Sequence, residues 1–107
     1  MKLGVCIYSN DAESVWNAFR FGNYAIKHSS DEVQVFLLGK GVEAESLDND
    51  QFQITEQMSA LVAAGGKIMA CGTCLKARQS EGSDICPLST MQDLYRMVVE
   101  CDKVLTF

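Results

Sequence analysis

The chain opens with an unbroken apolar run from Leu3 to Tyr8 that includes β-branched residues, the pattern of a strand covered on both faces. Ser9 and Asn10 end it. Asn10 with Glu13 three residues on reads as a capping box, and Val15, Ala18, Phe19, Gly22, Ala25 and Ile26 then recur at helical spacing. A first helix to about His28 is predicted. After the polar turn of residues 29–32, Val33 to Leu38 repeats the buried-strand pattern and stops at Gly39-Lys40-Gly41.

Residues 42–50 carry Glu43, Glu45, Asp48 and Asp50 without clear periodicity and read as a solvated loop. Asp50 with Gln53 predicts the cap of a second helix whose inner face is Ile54, Met58, Leu61, Val62 and Gly65, closed by Gly65-Gly66. Residues 67–70 make a short third strand that runs directly into Cys71-Gly72-Thr73-Cys74, with a helical turn over Leu75 to Gln79. Ser80 to Cys86 is a polar loop, where Pro87 holds Cys86 extended and leaves room for a short edge strand. Ser89 with Gln92 predicts the cap of a last helix facing inward through Met91, Leu94, Tyr95, Val98 and Cys101, before a final strand from Lys103 to Phe107. Strands alternating with helices imply a single α/β domain over residues 1–107, with a parallel sheet covered on both sides.

Composition narrows the function classes. A net charge of −5, with no Lys/Arg cluster, excludes a phosphate backbone as partner. No apolar stretch approaches the roughly 18 to 20 residues of a membrane span, and the opening run stops before a secretory leader is complete. Five cysteines, an odd number in a helix-rich chain, argue against a disulfide scaffold and for free thiols in the reducing cytoplasm.

The chemistry is expected at the carboxyl ends of the strands, where ligands gather in open parallel sheets. That edge carries Ser9, Asn10, Gly39, Gly41 and Cys71. Cys71 follows a strand and precedes a helical turn, so its sulfur is predicted to meet unpaired N–H groups that lower a thiol pKa from about 8.5 toward neutrality. Asn10, Gly39, Gly41, Gly72 and Thr73 would line the site. Lys76 and Arg78 either add positive potential or are solvated surface. Cys74, three residues on, would resolve a persulfide or close a disulfide with Cys71. Two inert buried cysteines are the competing reading of the same CxxC. Zinc needs about four ligands, and only Cys86, Cys101 and His28 remain without a second CxxC, so neither metal nor cofactor is expected. Cys86 is either a further exchanging thiol or passive; Cys6 and Cys101 read as packing residues, and His28 as the end of a helix. Trp16, Phe19, Phe21 and Tyr24 are spaced for core contacts or a subunit interface.

The CGTCLKAR string after a strand, the FLLGKGVEAE stretch after the second strand and the terminal DKVLTF together resemble the DsrE/DsrF-like family over nearly the whole chain. Among its members, the likeness is to small CGTC-containing proteins rather than to dissimilatory or tRNA-thiolation subunits. The resemblance implies a flavodoxin-like three-layer α/β/α fold, assembly into trimers or hexamers, and sulfur relay through a cysteine persulfide that falls on Cys71. The chain departs from the relay subunits by having Cys74 in the same motif, and a second thiol nearby tends to attack a persulfide, releasing sulfide and leaving a disulfide. The expected function is a persulfide carrier or sulfurtransferase-like protein working with a sulfur donor and acceptor protein. A CxxC dithiol redox module and a non-catalytic homo-oligomeric assembly protein are the alternatives.

Overall fold

In the computed structural model, which describes residues 1–107, the opening apolar run becomes β1 (Lys2–Ile7), buried from Leu3 onward. Then follow α1 (Ala12–Ser29), β2 (Glu32–Leu37), a 3₁₀ helix (Gly39–Ser46), α2 (Ile54–Ala63), β3 (Lys67–Cys71) and α3 (Gly72–Ala77). The chain finishes with β4 (Leu88–Ser89), α4 (Met91–Glu100) and β5 (Lys103–Thr106). The five strands lie in the order β4-β3-β2-β1-β5, and every pairing is parallel. The chain thus winds outward from β1 to β4 and returns across the sheet through α4 to the other side of β1. No helix is long and apolar enough to cross a membrane.

The pleat of β1 assigns the two layers. A Cβ added at Gly4 would lie 3.3 Å from Cys101 Sγ and 3.4 Å from Met97 Cε, so Gly4 and Cys6 face α4. Leu3, Val5 and Ile7 face the opposite layer. There α1 and α2 pack together, with Gly22 so close to Leu61 that an added Cβ would sit 2.9 Å from Cδ1. The core has Val5, Ile7, Val15, Phe19, Ile54 and Leu61 at 0% exposure.

All three predicted caps are displaced. Asp11 caps α1, its carboxylate accepting the Ser14 N–H at 2.9 Å, while the Asn10 side chain turns to Glu43 at 3.4 Å. For α2, Asp48 rather than Asp50 reaches the helix start, accepting the N–H groups of Ile54 at 2.7 Å and Thr55 at 2.9 Å. Ser89 is committed to β4, so the reciprocal box before α4 forms between Thr90 and Asp93.

Three further expectations change. Residues 42–50 are not a plain loop: the 3₁₀ helix runs to Ser46, with Val42 and Ala44 buried. Val62 and Gly65 lie outside the inner face of α2, which is Ile54, Met58 and Leu61. In α4 the buried residue is Met97, with Leu94 and Cys101 half-buried, whereas Met91, Tyr95, Val98 and Val99 face outward. That helix has two apolar stripes, and the sheet takes the one through Met97.

Gly41 sets how the 3₁₀ helix crosses the sheet edge. A Cβ there would fall 2.0 Å from the Ile7 carbonyl oxygen, so only glycine lets this turn pass over the end of β1. The crossing brings Gly39 and Glu43 toward α3, which packs against the 3₁₀ helix.

Candidate thiol site

Cys71 closes β3 and Gly72 opens α3, so the CGTC motif sits at the strand-to-helix junction. The sulfur environment differs from expectation. Cys71 occupies the N-cap position of α3 yet makes no side-chain cap hydrogen bond, and it is only 3% exposed. A six-residue helix also offers a weak dipole. The amide that reaches a sulfur comes from another element: the Gly39 N–H donates to Cys74 Sγ at 3.3 Å.

Cys74 is the half-buried, reachable member of the pair. Its pKa is raised above the ordinary thiol value, chiefly by a side-chain hydrogen bond with Cys71 and then by burial. The Gly39 amide and the Arg78 charge pull the other way and do not prevail. The balance disfavours the thiolate of Cys74.

Arg78, at the C-cap of α3, ties that helix to its surroundings. Its Nε donates to Glu43 Oε2 at 2.8 Å, and its Nη1 donates to the Cys74 carbonyl at 3.1 Å. Glu43 in turn accepts from Asn10 Nδ2 at 3.4 Å, and its pKa is lowered by the Arg78 and then the Asn10 hydrogen bond. Lys76 is exposed.

Of the expected lining residues, Gly39 contacts the sulfur of Cys74, and Asn10 joins through Glu43. Gly72 is half-buried, an added Cβ lying 3.2 Å from the Ser89 carbonyl, and Thr73 is exposed. Gly41 is a buried spacer against Ile7 rather than a lining group. Glu43 is masked in the sequence by its acidic neighbours, whereas Arg78 is one of the two cations expected to add positive potential, and it is the one whose charge acts on Cys74.

Cys86 does not join the pair. It lines a cleft of about 340 Å³ between the 3₁₀ helix and the loop after α3, together with Glu43, Glu45, Leu75 and Arg78. It is 3% exposed, and burial followed by the Glu45 charge pushes its pKa up to about 12. Of the two expected readings of Cys86, exchanging thiol or passive residue, burial favours the passive one. Cys6 is buried and Cys101 half-buried, both with pKa values raised chiefly by burial, and all five cysteines are free. No group of three or more His, Cys, Asp or Glu side chains is arranged to hold a metal ion.

The DsrE/DsrF-like family model matches residues 1–107 from end to end. The chain belongs to the DsrE/DsrF-like family. Members of this family are associated with sulfur relay. An uncharacterized protein of Methanopyrus kandleri is 31% identical over 101 residues, covering 89% of this chain and 83% of its own. The fold matches the crystal structure of the ychN protein from E. coli with a TM-score of 0.84, at 23% identity and full coverage of both chains. A conserved protein of unknown function from Bacteroides thetaiotaomicron gives a TM-score of 0.79 at 18% identity, covering 99% of this chain and 94% of that one. The DsrE-like fold is thereby established, with CGTC at the carboxyl end of its third strand.

Proposed function

We propose that this protein carries sulfane sulfur on its CGTC pair, with Cys71 as acceptor and Cys74 as the resolving thiol. The observation that carries this reading is the placement of both CGTC sulfurs at the junction of β3 and α3, where the Gly39 N–H donates to Cys74 Sγ at 3.3 Å. Cys71 as thiolate attacks the outer sulfur of a donor persulfide; a Cys71 S–S bond forms, the donor S–S bond breaks, and the donor leaves as a thiolate. Transfer to an acceptor thiolate repeats the exchange in the other direction. When no acceptor arrives, the Cys74 thiolate attacks the Cys71 sulfur, giving a Cys71–Cys74 disulfide and hydrosulfide, and a thiol reductant resets the pair. Because Cys71 is 3% exposed, acceptance requires the short α3 to shift, an opening consistent with its single helical turn and a half.

The working partners in this proposal are a donor and an acceptor protein, in a reducing cytoplasm that keeps the thiols free. A further copy of the chain is the proposed partner for the outer stripe of α4, in a trimer or hexamer, because Met91, Tyr95 and Val98 form an apolar row that no element of the chain covers.

Reduced protein incubated with a persulfide donor should gain one sulfur by mass, and the adduct should disappear in Cys71→Ser and last longer in Cys74→Ser. An adduct retained in Cys71→Ser and lost in Cys74→Ser would move the acceptor role to the half-buried sulfur of Cys74. No adduct, together with a reversible disulfide, would favour the dithiol redox module.

A further inference from the structure

The 3₁₀ helix and α3 are joined at two points, and both concern Cys74. Gly39 donates to its sulfur at 3.3 Å, and Glu43 holds the Arg78 side chain at 2.8 Å while Arg78 donates to the Cys74 carbonyl at 3.1 Å. We propose that Glu43 is a positioning residue for the thiol pair: it fixes the Arg78 guanidinium beside the Cys74 turn and offsets its charge, and so sets how readily Cys74 attacks a persulfide on Cys71.

This inference rests on the relay reading for its purpose, though its geometry does not. A persulfide carrier with a resolving thiol beside it faces a conflict, since ionised Cys74 converts Cys71–S–SH to the Cys71–Cys74 disulfide and hydrosulfide. Carriage then depends on how much Cys74 is ionised. The positive charge that acts on this sulfur is Arg78 at the C-cap of α3, which on its own favours the thiolate. Glu43 neutralises that charge at the point where it is held, and Asn10 keeps the carboxylate in place. The arrangement sets the guanidinium geometry without delivering its whole field to the sulfur.

The groups on the elements packed against α3 are few. Cys71 comes from β3, the 3₁₀ helix brings Lys40, Glu43 and Glu45, and β4 carries no titratable side chain. Glu45 is bonded to Ser83 and raises Cys86 instead, and Lys76 of α3 itself is exposed. Glu43 and Arg78 are thus the charged pair tied to the Cys74 turn.

The test follows the rate of Cys74 alkylation against pH in the reduced full-length chain, resolved by peptide mass mapping. Glu43→Gln keeps a hydrogen-bond acceptor for Arg78 and removes the charge. It should speed Cys74 alkylation at pH 7.5 about threefold, corresponding to about half a pKa unit. Arg78→Gln should slow it by a similar factor, and Arg78→Lys should restore part of the rate, because it keeps the charge but loses the two-point fork. Opposite shifts are the decisive result, since mere loosening of α3 would move Glu43→Gln and Arg78→Gln in the same direction. Shifts of the same sign, or none, would overturn the inference. Opposite shifts without any sulfur adduct on the chain would leave this role of Glu43 standing and remove the relay reading alone.

Discussion

The two helical layers of this sheet meet their task differently. On one side, α1 and α2 close on each other and on the strands, and Val15, Phe19, Met58 and Leu61 are fully buried. On the other, the single helix α4 contributes Met97 to the interior and leaves Tyr95 72% exposed and Val99 63% exposed. Both helices of the first layer bury a broad apolar face, although α1 leaves Phe21 and Tyr24 outside, whereas α4 buries only Met97 and leaves its other apolar stripe exposed. The first layer is closed mainly within the chain, and the second leaves the outer stripe of α4 uncovered. The thiol pair belongs with the finished side through the 3₁₀ helix, which touches α1, α2 and α3 together.

Truncating the finished layer should do the most damage. Leu61→Ala removes a side chain at 0% exposure and should cost about 2 to 5 kcal/mol in chemical denaturation. A much smaller loss would mean that α2 relaxes to fill the space and that this layer is less tightly closed than described. The second effect concerns alkali. Cys86 is protonated in the fold, and its pKa is raised from about 9 to about 12, so its contribution is complete below about pH 9 and is lost as pH rises toward 12. Stability should fall by up to about 1.4 kcal/mol per pH unit in that window, and Cys86→Ala should flatten the slope. An unchanged slope in the variant would show that other groups carry the alkaline transition.

The smallest change in fold stability should come from the unfinished layer. Tyr95→Glu should alter the stability of the monomer by less than about 0.5 kcal/mol. The same substitution should nevertheless dissociate the proposed homo-oligomer, as read by light scattering over a range of concentrations. If the wild-type chain is already monomeric at high concentration, or if Tyr95→Glu unfolds it, the contrast between the layers fails.

Much of the fold was legible because buried parallel strands and one-faced helices leave simple patterns: β1, β2 and α1 follow from runs and spacings alone. The errors fall where several residues compete for one geometric role. Asn10, Asp50 and Ser89 each sit one or two positions from the residue that caps, because the exact turn decides which oxygen reaches the free amides. In α4 the sequence contains two stripes, and periodicity cannot choose between Tyr95 and Met97 for the interior. The 3₁₀ helix was hidden because its apolar side is only Val42 and Ala44 among acidic residues. At the site, CGTC announces thiol chemistry, but the Gly39 amide lies 35 positions from Cys74 and Glu43 lies 35 positions from Arg78, and they become neighbours only through the crossing at Gly41.

The bond from the Gly39 N–H to Cys74 Sγ gives the molecule a resident spectroscopic probe. Amide proton frequency tracks the charge and distance of its acceptor, so one cross-peak in a nitrogen-proton spectrum should travel as residue 74 is ionised, alkylated or bonded to another sulfur. The state of the thiol can then be followed in the intact protein, in real time, from a glycine that takes no part in the exchange of sulfur.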